Sequence, residues 1–155
     1  MTWTLVQHPT TRNDYGVYGT SITKAFSSNP TLGNLIVVTG GGKGNAVTWA
    51  VSDNYSNAYT VRNLSTVNNF NGFVAWAIVA TTGATFTVTA TDGGQVSQTI
   101  DITEWSGGAS SSIEDAYAVS TLFINANTPV SATSTAAGDL AVSVWASAGV
   151  ISAPS

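Results

Sequence analysis

The chain of 155 residues contains no cysteine. That excludes a disulfide framework and any thiolate metal site, and it leaves the compartment open. Charge is scarce too. Asp, Glu, Lys and Arg make up 8% of the chain, against roughly 25% in an average domain. Four basic and eight acidic residues leave a net charge of −4. With no basic stripe to neutralise phosphates, nucleic acid is a poor partner, and an anionic membrane surface is disfavoured for the same reason. No apolar run is long enough to span a bilayer. The longest, Leu140 to Ile151, is also interrupted by Ser and Gly. The opening MTWTLVQHPTTRNDYG has neither a basic n-region nor an apolar h-region, so no export signal is expected.

The chemistry of catalysis is equally thin. His8 is the single histidine, beside Pro9. No Gly-x-Ser-x-Gly nucleophile elbow is present. Asp101 and Glu104 could be a carboxylate pair, since glycoside hydrolysis needs two at about 5–10 Å. Three positions apart on a strand they point to opposite faces. Glu114-Asp115 reads as an exposed loop pair. The run TGGGKGNA (Thr39 to Ala46) reads as a flexible loop and not as a phosphate cradle, because its Lys is followed by Gly and no helix pattern follows. No catalytic residue, metal ligand set or cofactor is therefore assigned. Calcium is the metal that the chain comes nearest to holding, through oxygens of Asp53, Asn54 and Asn57 or of Asp92.

Thr, Ser, Asn and Gly take the place of charge, and strand signals dominate. ATFTVTAT (Ala84 to Thr91) alternates, with Phe86, Val88 and Ala90 on one face and threonines on the other. GFVAWAIVAT (Gly72 to Thr81) is apolar on both faces, as in a strand covered twice; Trp76 and Phe86 are predicted to be buried. QVSQTIDIT (Gln95 to Thr103) alternates again, and Asp92-Gly93-Gly94 supplies a hairpin turn. Strands are expected over residues 3–8, 17–26, 34–39, 46–52, 58–63, 72–81, 84–91, 95–105, 117–124, 129–134 and 139–147. Spacing near ten residues predicts an all-β fold: an antiparallel β-sandwich, jelly-roll-like, in a single domain over 1–155. Ser110 to Phe123, with a Ser-x-x-Glu phrase at Ser111 and Glu114, allows at most one short helical turn.

One phrase occurs twice. NPTLGNLIVV (Asn29 to Val38) is echoed by TAAGDLAVSV (Thr135 to Val144). Each places Gly, a short polar residue and Leu before a Val-rich stretch. The expectation is a sharp turn into a core strand in both places, with Trp145 in the core.

Gly33 to Val38, Val51 to Thr60, Gly83 to Thr89 and Glu104 to Gly107 together resemble a family of small all-β domains. Its members read Gly-[Asn/Asp]-Leu-hydrophobic, Val-x-Asp-x-x-Gly/Asn-Asn-x-Tyr-Thr, Gly-Ala-x-x-Thr-Val-Thr and Glu-aromatic-Ser-Gly. Such domains occur in phage virions, as decoration, cement or tail-associated proteins, and in secreted bacterial proteins beside modules that bind carbohydrate. Members continue past the second Gly-Asp-Leu strand with another hairpin or two, so by this resemblance the chain is a short version or a truncated one.

Two readings of function follow. The first is a non-enzymatic virion structural protein of a phage, made in the host cytoplasm. It would contact shell or tail proteins and copies of itself, as a trimer on the phage analogy. The Leu140–Ser147 strand or the Met1–Asp14 arm would lie at the contact, because an open apolar edge needs cover. The alternative is an extracellular carbohydrate-binding module or lectin-like domain that takes a polysaccharide. Its sugar-contact candidates are Trp49, Tyr55 and Tyr59, which surround a turn.

Overall fold

A computed structural model describes residues 2–9, 19–44, 48–64, 70–94, 97–108, 111, 113–118, 133, 138–142 and 144. Eight strands are present: β1 (Thr4–Gln7), β2 (Ser21–Ala25), β3 (Leu35–Lys43), β4 (Ala50–Asp53), β5 (Thr60–Asn63), β6 (Phe70–Ile78), β7 (Thr87–Thr91) and β8 (Ser97–Ser106). No helix occurs among the described residues. The first eight expected strands correspond to these eight. Of the last three, Tyr117, Ala118, Thr133, Asp139–Val142 and Val144 are described, and none is in a strand. Trp145 and the rest of those three stretches lie outside the described residues.

The strands form two antiparallel sheets, ordered β1-β8-β3-β6-β5 and β2-β7-β4. The pairs β1–β8, β2–β7 and β3–β6 join strands whose numbers sum to the same total, as when one long hairpin is rolled up. That is the jelly-roll wrapping. Its last pair is broken, because β5 lies on β6 and not on β4. The eight strands of this wrapping end at Ser106.

The sheets face each other across one core. On β8 the alternation places Gln98, Ile100, Ile102 and Glu104 inward. β2 contributes Ile22 and Lys24, and β7 contributes Val88 and Ala90. Trp49 packs on Phe73 at 4.8 Å between ring centroids, and Phe86 lies between Phe26 and Tyr55 at 5.9 and 5.4 Å. Phe86 is buried as predicted. Trp76 is not; it is half-buried. In β6 the even positions Val74, Trp76 and Ile78 face outward, while Phe73, Ala75 and Ala77 face the core. Both faces are apolar, so the local sequence left the choice of inner face open.

The glycine run is the second correction. Thr39 to Lys43 is not a loop but the second half of β3, paired on both sides with β6 and β8. A Cβ at Gly40 would run into the Phe73 ring and the Thr99 carbonyl, and one at Gly41 into the Asn71 carbonyl. Glycine here lets neighbouring strands and a core ring approach closely.

The repeated phrase is half as uniform as it reads. Gly33 and Gly138 both adopt left-handed backbone, with φ of +83° and +89°, a region that favours glycine. After Gly33 the chain enters β3, with Gly33 N–H donating to the Val79 carbonyl and Val79 N–H to that of Asn34. After Gly138 it forms no described strand. Ala141 and Val142 instead lie against the outer face of the five-stranded sheet, beside Val37, Thr39 and Trp105.

This arrangement predicts unequal costs for two aromatic truncations. Phe86→Ala removes a ring with 1% exposure and costs about 3–5 kcal/mol. Trp76→Ala, on the half-covered outer face, costs clearly less. Urea unfolding midpoints of the two variants measure the difference.

Candidate functional site

The motif residues meet in space, and they meet as structural joints. Glu104 is fully buried. It accepts hydrogen bonds from Gln7 Nε2 at 2.6 Å, Thr31 N at 2.8 Å and Asn34 Nδ2 at 2.6 Å. Gln7 in turn accepts from Ser28 N and donates to Ser28 O. The Asn of the Gly-Asn-Leu phrase and the Glu of the Glu-Trp-Ser-Gly phrase are therefore partners. The cluster ties β1, the β2–β3 loop and β8 together. A carboxylate with no exposure and three donors has no open face for a substrate.

The second joint is built on Asp53. Its Oδ1 accepts from Tyr55 N and Asn57 N, and its Oδ2 from Asn57 Nδ2. Asn57 Oδ1 accepts from Ala80 N and Thr81 N, and its amide donates to Thr81 O. Asn54 is bonded to Thr85 O and Thr87 N, and Tyr55 Oη donates to Ala84 O. These bonds hold Thr85 at φ +59°, a conformation costly for a β-branched residue, and they delay the start of β7 to Thr87. The Tyr59 hydroxyl is buried beside the Asp53 carboxylate. Burial first, and the nearby Asp53 carboxylate second, push its pKa up.

This geometry corrects two sets of candidates. Trp49 is 2% exposed, its indole N–H donates to Asn71 Oδ1 at 2.7 Å, and it cannot stack on a sugar. Tyr55 is stacked on Phe86, and Tyr59 packs against the core. The three do not form a platform, because the turn they flank folds inward over the sandwich. The calcium candidates fail on their bonding: the Asp53 oxygens face N–H donors, and Asp92 accepts from Gly94 N and Gln98 Nε2. No group of three His, Asp or Glu residues able to hold a metal occurs among the described residues.

Asp101 and Glu104 do lie on opposite faces, as their spacing required. Glu104 points into the core, and Asp101 lies at the outer face, where its carboxylate meets His8 Nε2 at 2.8 Å and Lys24 Nζ at 3.0 Å. Partial burial pushes the Asp101 pKa up, but hydrogen bonds and charge from Lys24 and His8 outweigh it and hold it below the ordinary aspartate value. Farther across this face Arg62 pairs with Glu114 at 2.7 Å. The guanidinium stands 6.0 Å from the Trp76 ring centroid and 5.7 Å from that of Tyr117.

Beside Asp101 the outer face carries a cleft of about 210 Å³. Its floor is Val37 and Thr39 of β3 with Asp101, Thr103 and Trp105 of β8; Ala141 and Val142 form one wall. Thr103 is opposite Val37, and Asp101 opposite Thr39. Trp105 Nε1 donates to Thr103 Oγ1 at 2.8 Å. The sequence offers Trp105 only as one of five tryptophans that could stack on a sugar if exposed; the signal that singles it out is the alternation Asp101, Thr103, Trp105, which places all three on one face.

Two outcomes are expected. Glu104→Gln sets an amide N–H₂ against a cluster of donors and costs about 1–3 kcal/mol in chemical denaturation. Asp101 has a lowered native pKa, so its contribution to stability is present above the unfolded value near 3.8. That contribution is lost as pH falls through the lower native value. Thermal melts across this range should show the gap between wild type and Asp101→Asn closing as pH falls.

Compared with known proteins, the chain matches no family model, no curated protein and no solved structure.

Proposed function

We propose that the chain is a non-enzymatic structural protein of a phage virion, a capsid decoration or cement subunit or a tail-associated one. It acts by contact with shell or tail proteins and with copies of itself. The observation that carries this reading is the edge strand β1. Leu5 and Val6 are each 47% exposed, and Thr4–Gln7 contains no charged residue. Its shortness and its register slip blunt backbone pairing along this edge, so the two exposed apolar side chains are what it offers to a partner. The register slip between Leu5 and Gln7 leaves Val6 as an extra residue in β1. Exposed Leu32, at 61%, sits in the β2–β3 loop that Gln7 and Glu104 hold to this edge.

A four-residue strand is too small to supply the roughly 800 Å² per partner of a standard interface. The contact therefore extends over the β2–β3 loop. The low charge suits it, since little desolvation of ionic groups is needed to bring two such surfaces together. The resemblance of the motifs to virion proteins supplies the setting and the trimer number. In the other expected contact, Leu140–Ser147, the described residues 140–142 and 144 are not in a strand.

Leu5→Lys with Val6→Lys should leave the circular dichroism spectrum unchanged and abolish self-association in light scattering. It should also abolish cosedimentation with capsids or tails of the source phage. A wild-type protein that remains monomeric at high concentration and binds neither particle would defeat the proposal.

A further inference from the structure

The outer-face cleft is unlike the two motif joints, because Thr39, Asp101, Thr103 and Trp105 are partly open to solvent around a buried Val37. Trp105 is half-buried, and its N–H is already bonded within the strand to Thr103 Oγ1. That bond fixes the ring without using its face. A fixed aromatic face loses little freedom when a ligand stacks on it. Beside it stand the Thr39 hydroxyl and the Asp101 carboxylate, both half-buried. Asp101 Oδ1 already meets both His8 Nε2 and Lys24 Nζ, whereas Oδ2 meets His8 alone and has capacity for one more donor.

The chemistry of the floor narrows the ligand. Val37 and the Trp105 ring want an apolar surface. Asp101 and Thr39 want hydroxyl donors a short distance away. Lys24 already balances the Asp101 charge at 3.0 Å, so neither a cation nor an anion gains a net charge partner. The volume of about 210 Å³ lies below the roughly 300–1,000 Å³ of sites for drug-sized ligands. A compact molecule with one C–H face and a hydroxyl rim meets all four conditions.

We infer that this cleft binds one neutral hexopyranose unit. Its C–H face stacks on Trp105, and its hydroxyls donate to Asp101 and exchange hydrogen bonds with Thr39. The cleft adjoins the β1 edge, since Leu5 is the cross-strand neighbour of Trp105, but neither proposal depends on the other.

The test is an NMR titration of the full ¹⁵N-labelled chain. The probes are methyl β-D-glucopyranoside, methyl β-D-galactopyranoside, methyl α-D-mannopyranoside and N-acetyl-D-glucosamine. At least one should give saturable shifts at the Trp105 indole N–H and the Thr39, Asp101 and Thr103 amides, with Kd on the order of 1 mM. Thr39→Val, which keeps the side-chain shape, should weaken that binding by about tenfold. Trp105→Ala should abolish it; if that variant loses amide dispersion, Thr39→Val carries the test alone. Saturable shifts outside the cleft only, binding unchanged in Thr39→Val, or no saturable shift with any of the four sugars would overturn the assignment.

Discussion

A buried carboxylate organises one end of this sandwich. Glu104 has no exposure, and a charge removed from water is tolerable only when its oxygens are bonded. Its donors come from three separate places: the Gln7 side chain on β1, and the Thr31 backbone and Asn34 side chain between β2 and β3. None carries a formal charge. Satisfying one group therefore sets where the first strand docks, how the β2–β3 loop closes, and how far β8 runs. The register slip in β1 follows from this, because Gln7 opposes Glu104 while Leu5 opposes Trp105.

The same demand operates on the other sheet. The Asp53 and Asn57 side chains gather backbone N–H groups from their own turn and from Ala80 and Thr81. The β4–β5 connection is thereby anchored to the chain that leaves β6. Tyr55 closes the same corner, with its ring on Phe86 and its hydroxyl on Ala84 O. A chain with so few charges relies on Asn, Asp and Gln for joints that elsewhere are often ion pairs. The ion pairs at Asp101 and Glu114 lie on the outer face.

The division of labour between the two faces of the five-stranded sheet shapes the functional reading. The inner face is closed against β2, β4 and β7 by the shared core. The outer face is apolar along β3 and β6 but mixed along β8, where Asp101 and Thr103 precede Trp105. Residues 113–118 approach it through the Glu114–Arg62 pair, and Ala141–Val142 through the cleft wall. A strand apolar on both faces and one alternating between them thus create, side by side, a covered patch and a small open cleft.

The sequence by itself determined the fold class, because period-two alternation in β7 and β8 and the Asp92-Gly93-Gly94 turn act over a few residues and require no distant partner. It also determined that Asp101 and Glu104 diverge, since strand geometry alone separates residues three apart. It did not determine which face of β6 is the core, because Phe73 and Trp76 are both apolar, and only the opposing sheet chose Phe73. Nor did it place Trp49: a Trp beside a turn suits a core or a sugar platform equally in local sequence, and its N–H bond to Asn71, 22 residues away, is what marks it as interior. The glycines after Thr39 read as a loop for the same reason, since the Phe73 ring that occupies the space of a Cβ at Gly40 arrives from another strand. Long-range packing decided each of these, because burial belongs to pairs of surfaces and no single segment contains both.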